Sequence, residues 1–98
     1  MHTPRIIDCR FEDGIKTIQV QPSGVCTMQM EIELEGDVIR RVMFIGGCSG
    51  NTQGIASLVR GMKVSDVIQR LEGISCGGKG TSCPDQLAQA LKMITGIC

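Results

Sequence analysis

The chain reads as an α+β domain: a small antiparallel sheet, a hairpin plus an edge strand, with about three helices packed on one face. Two patterns predict this. From Met28 to Leu34 apolar residues recur at every second position, with a returning run rich in β-branched residues at Val38 to Ile45, and from Asn51 onward they recur every three or four. The strand-like stretch lies wholly before the helix-like one, so the helices gather in their own layer. A chain of 98 residues has room for one such domain.

Residues 1–14 read as a polar lead-in ending at Asp13-Gly14, with the domain proper at 15–98. Ile15 to Val20 alternates and forms the edge strand, which Pro22-Ser23-Gly24 breaks. Met28, Met30, Ile32 and Leu34 then fall on one face, with Gln29, Glu31, Glu33 and Glu35 on the other, the pattern of a half-buried strand. Glu35-Gly36-Asp37 turns the chain into a returning strand, Val38 to Ile45. Asn51 or Thr52 caps a first helix whose apolar face is Ile55, Leu58, Val59 and Met62. A second helix opens at Ser65 and carries Val67, Ile68, Leu71 and Ile74, with Gly73 weakening its end. In the third, Pro84 takes the first helical position and Asp85 the positive end of the dipole, where capping is its expected role. Leu87, Ala88, Leu91 and Ile94 stripe that helix, and Gly96 stops it.

Composition predicts a thin core. Apolar residues make up 42% of the chain, but there is no Trp or Tyr, only Phe11 and Phe44, and six Met supply soft packing. Formal net charge is zero and the longest basic run is Arg40-Arg41, which argues against nucleic acid and anionic membrane as partners. The N-terminal residues lack the apolar core of a secretory signal, and no run approaches the about 18 apolar residues of a membrane span. The expected compartment is the cytoplasm, where structural disulfides are rare and clustered cysteines serve metal or redox chemistry.

Six cysteines are present, and four of them sit in ligand-like settings. Cys48 lies in a glycine-rich loop between hairpin and first helix, Cys76 just beyond the second helix, Cys83 at the mouth of the third, and Cys26 at the opening of the first hairpin strand. Glycine lets such loops curl until thiolates converge, and a helix N-terminus favours negative charge. Four converging thiolates make a closed structural zinc site, and the same donors suit an iron–sulfur cluster. A Cys76/Cys83 pair cycling through a disulfide is the third use. Buried packing competes with all three, because free cysteine behaves as a small hydrophobe, and the spacing of Cys76 and Cys83 is no C-x-x-C knuckle. Cys9 and Cys98, in the lead-in and at the tail, read as incidental thiols.

Other signals are weaker. Gly77-Gly78-Lys79-Gly80-Thr81-Ser82 departs from the phosphate-loop pattern, since Gly80 follows Lys79, and a solvated lysine accounts for it. His2 is the only histidine, which leaves no Cys–His or Ser–His pair. Glu31, Glu33 and Glu35 read as a solvated strand face.

Thr81-Ser82-Cys83-Pro84-Asp85, together with Gly24-Val25-Cys26, Phe44-Ile45-Gly46-Gly47-Cys48-Ser49-Gly50-Asn51 and Gly73-Ile74-Ser75-Cys76, resembles the small stand-alone TSCPD-domain proteins. That family is related to the C-terminal region of adenosylcobalamin-dependent ribonucleotide reductases. The resemblance carries its four cysteines onto Cys26, Cys48, Cys76 and Cys83 and implies metal binding there, with a ribonucleotide reductase as the implied partner. A reductase label on so short a chain would be inherited from the larger enzyme, because nothing here stacks a base or carries a tyrosyl radical; an accessory piece fits better. The order of cysteines, hairpin and helices is also similar to iron–sulfur scaffold proteins. Those place Asp two residues after the first cysteine and His before the last, where this chain has Met28 and Ser82, so static metal is favoured over cluster delivery.

Overall fold

Alternating β-prone stretches separated by glycine turns build a four-stranded meander, and the helical half of the chain covers one face of it. The structure, a computed structural model, describes residues 3–25, 27–46, 49–74 and 80–94, without the side chains of 49–51. The strands are β1 (Arg5–Glu12), β2 (Ile15–Gln21), β3 (Thr27–Glu35) and β4 (Val38–Gly46), antiparallel in the order β1-β2-β3-β4. Three helices follow: α1 (Ser49–Val59), α2 (Val64–Leu71) and α3 (Cys83–Ile94). The expected α+β class and one-sided helical layer are therefore what the chain forms.

The polar lead-in, however, contains β1. Asp13 and Gly14 take positive φ of 51° and 79°, the two-residue turn that joins antiparallel strands without splaying them. As the sheet edge, β1 turns only Ile6 and Cys9 onto the core and leaves Phe11 exposed, so it lacks a clean apolar alternation. The edge role expected of Ile15–Val20 passes to it.

Ile18 and Val20 from β2, Met30, Ile32 and Leu34 from β3, and Ile39 and Val42 from β4 form the inner face. Val59, Val67, Leu87, Ala90, Leu91 and Ile94 close over them from the helices. On the outer face Arg41 pairs with Glu31 at 2.6 Å and Glu33 at 2.8 Å, and Gln19 donates to Glu31. The glutamates are thus cross-strand partners of an arginine as well as a solvated face.

Three side chains depart from the periodic reading. Met28 is 74% exposed, because a bulge between Thr27 and Gln29 gives β3 one extra residue opposite β4 and turns Thr27 inward instead. Leu58 is 76% exposed, since the stripe of α1 that meets the core runs through Thr52, Ile55, Ala56 and Val59. Ile74 falls beyond the end of α2 and is exposed.

Helix α2 starts before Ser65. Lys63 is its N-cap, in extended conformation and without a side-chain cap. The preceding chain is instead pinned to β4: Ile39 N–H donates to Met62 O, Gly61 N–H to Ile39 O and Val64 N–H to Asp37 O, at 2.7 to 2.8 Å. That pairing both starts α2 and covers the Val38–Ile39 end of the outer edge of β4.

Burial sets the energetic ranking of these positions. Ile32→Ala empties a fully buried site and is expected to cost about 2–5 kcal/mol in urea unfolding, whereas Leu58→Ala stays within about 0.5 kcal/mol of the parent. Equal costs for the two would contradict the assigned helix face.

Candidate functional site

At the mouth of α3 six consecutive residues, Thr81 to Gln86, are all buried. Four of them are polar, with Thr81, Ser82, Asp85 and Gln86 between 0% and 5% exposed. Polar groups survive there only if each finds a partner, and each does. Ser82 is the N-cap: its hydroxyl accepts the Asp85 N–H at 3.1 Å, its carbonyl accepts the Gln86 N–H at 2.8 Å, and its hydroxyl donates to the Ile74 carbonyl at 2.7 Å. The capping role expected of Asp85 therefore belongs to Ser82.

Asp85 does something else. Its Oδ2 accepts the Thr81 hydroxyl at 2.6 Å, and its Oδ1 accepts the Gly73 N–H at 2.7 Å and Gln89 Nε2 at 3.2 Å. Gly73 has φ of 86°, a left-handed conformation that ends α2 and aims this N–H at the carboxylate. Burial by itself pushes the Asp85 carboxyl up, but the Thr81, Gly73 and Gln89 hydrogen bonds and the charge of Lys92 outweigh it and hold the group below its usual value. Gln86 completes the set, donating from Nε2 to Thr81 Oγ1 at 2.9 Å and accepting the Ser23 N–H on Oε1 at 2.8 Å. The segment thereby ties three separate parts of the chain: the β2–β3 loop, the end of α2 and the start of α3.

A buried thiol sits on this frame. Cys83 is a free thiol, 9% exposed, in the first turn of α3, where the helix dipole stabilises negative charge. Its Sγ lies 2.9 Å from Thr27 Oγ1, the hydroxyl that the β3 bulge turns inward. Opposite Thr27 stands Gly46, with φ of 81°, where an added Cβ would meet Met28 Cγ at 3.1 Å. Glycine there lets the two strand ends close on each other.

Of the predicted ligands, Cys83 alone is described; Cys26, Cys48 and Cys76 lie outside the described residues, as do Cys98, Lys79 and His2. Among the described residues no three His, Cys, Asp or Glu side chains gather as a metal site. Cys9 is disulfide-bonded, which replaces the incidental thiol expected of it. It stands across from Ile18, which faces Ile32, five residues along β3 from Thr27. At the rise of a strand that is about 17 Å from the Cys83 end.

Sequence reading missed Thr27, Gln86 and Gly73. A Ser82-x-x-Asp85 spacing carries the capping signal, but nothing local announces a threonine exposed to the thiol by a bulge.

An antiparallel meander beneath three helices, with a buried Thr-Ser-Cys-Pro-Asp-Gln segment opening the last of them, defines a small cysteine-bearing α+β domain. The chain matches the TSCPD domain over residues 8–95 and belongs to that family. Comparison with curated proteins and with solved structures gives no match. Among the described residues no helix is long and apolar enough to cross a membrane.

Because the folded Asp85 carboxyl titrates below its unfolded value, its stabilisation is complete above the unfolded pKa of about 3.9 and is lost as pH falls through the folded one. Asp85→Asn is expected to cost about 1–3 kcal/mol at neutral pH and to flatten the fall in stability below about pH 4. Acid titrations of folding that superpose for parent and variant would contradict this assignment.

Proposed function

We propose that the protein is a four-thiolate metal-binding domain, with zinc held by Cys26, Cys48, Cys76 and Cys83, acting as an accessory or interaction module. The observation that carries the reading is the Thr27–Cys83 contact, which brings the chain flanking Cys26 and Cys48 to the Cys83 sulfur, and a Ser82 hydrogen bond does the same for the chain flanking Cys76. Cys26 is bonded in sequence to Thr27, whose hydroxyl lies on Cys83 Sγ. Cys48 follows by two residues on Gly46, the cross-strand neighbour of Thr27. Cys76 follows by two residues on Ile74, whose carbonyl accepts the Ser82 hydroxyl. With consecutive Cα atoms about 3.8 Å apart, the covalent chain allows all four sulfurs to meet at the mouth of α3.

The donor chemistry fits. Thiolates are soft ligands that select zinc, copper(I) or iron–sulfur clusters, and four of them close a tetrahedral zinc site. A hydroxyl donating to a ligating sulfur, as Thr27 is placed to do, is the kind of outer contact that orients metal ligands. A metal contributing about 10 kcal/mol to folding would also offset a core built without Trp or Tyr. The cytoplasm, where thiolates persist, suits this chemistry, while the Cys9 disulfide runs against that compartment. The TSCPD resemblance adds a ribonucleotide reductase as the partner such a module would serve.

Full-length protein purified without oxygen is expected to hold one zinc per chain by elemental mass spectrometry and to be colourless. Cys83→Ser is expected to retain well under half of that metal, and chelation to unfold the parent. Iron with acid-labile sulfide would replace zinc by a cluster, and metal-free protein that folds normally would leave thiol redox chemistry as the function.

A further inference from the structure

The two edges of the sheet differ. The β4 edge is paired with residues 61–64 at its Val38–Ile39 end, while among the described residues β1 has β2 as its one neighbour in the sheet. Strand β1 is eight residues long, and Phe11 is 62% exposed on it although Phe11 stands in register with Lys16 and Leu34 on the inner face of the sheet. Long edges that present apolar side chains are usually protected by charge. The charges of β1 do not protect it against its own copy, because both signs are present in an order that is complementary to itself.

Laid antiparallel on a second β1 about Cys9, the strand places Asp8 opposite the Arg10 position and Arg5 opposite the Glu12 position, all four on the outer face. The same register sets Ile6 against the Phe11 position on the inner face. The bulge at Ile7, already the extra residue in the pairing of β1 with β2, is what keeps both faces in phase. Each pairing occurs twice in a two-fold arrangement, as a self-complementary interface requires. Within one chain Arg10 and Asp8 pair at 3.4 Å with side chains 74% and 51% exposed, a weak contact that yields readily to a new partner.

We infer that the partner of the β1 edge is a second copy of this chain, the two sheets joining through β1 into one eight-stranded sheet. This does not rest on the proposed metal site, since Thr27, which meets Cys83, is five residues along β3 from Ile32, the position in register with Cys9 through Ile18.

Sedimentation equilibrium of the full chain in the presence of a thiol reductant tests it. The expected result is a reversible species of twice the 10.5 kDa chain mass. Arg10→Glu turns two attractive pairs into like-charge contacts and should raise the dissociation constant about tenfold. The charge swap Asp8→Arg/Arg10→Glu should restore it to the parent value, with the circular dichroism of all three proteins unchanged. A monomer at every concentration would overturn the inference. So would a dimer indifferent to Arg10→Glu, or one that exists only without reductant and is therefore a disulfide-linked product.

Discussion

A buried carboxylate organises this molecule. Removing the Asp85 charge from water costs several kcal/mol unless its oxygens are fully engaged, and that demand draws the Thr81 hydroxyl, the Gly73 N–H and the Gln89 amide to one point. Meeting it fixes how α2 ends, because Gly73 must adopt a left-handed conformation to present its N–H. It also fixes how α3 begins, because Thr81 and Asp85 must share one helical turn, with Ser82 capping between them. Lys92 and Glu72 join the same two helices again further along α3. A small domain without Trp or Tyr gains from such a network what it cannot gain from packing area: one defined relation among its loops.

Through Gln86 and Cys83 the same network reaches the sheet. Gln86 takes the Ser23 N–H from the β2–β3 loop, and Cys83 Sγ and the Thr27 hydroxyl just past it share a hydrogen bond. The bulge in β3 is what makes the second contact available, at the expense of exposing Met28. The residues of the Thr-Ser-Cys-Pro-Asp segment thus divide their work. Cysteine places a buried thiol against Thr27, while threonine, serine and aspartate fasten the end of α2 to the start of α3. Pro84, with no N–H to satisfy, fits the first turn, where backbone donors lack intrahelical partners.

Much of this was legible in the chain itself, and the reasons differ by element. The hairpin of β3 and β4 and the stripe of α3 are visible because one face of each is buried and the apolar period follows. Strand β1 escapes notice because an edge strand with two core-facing residues has no strong period to show. Leu58 misleads because helical spacing allows it on the stripe while Thr52 and Ala56, less hydrophobic, occupy the inward positions. Cys83 stands out by its setting at a helix mouth. Thr27 does not, since its inward turn arises from a register shift set by pairing with β4, and no local pattern encodes it.

The proposed four-thiolate centre of Cys26, Cys48, Cys76 and Cys83 is tested most directly by X-ray absorption at the zinc edge of the anaerobically purified full chain. Four sulfur scatterers at about 2.3 Å, with no light-atom neighbour, are the result it predicts. A first shell containing oxygen or nitrogen, or fewer than four sulfurs, would contradict it.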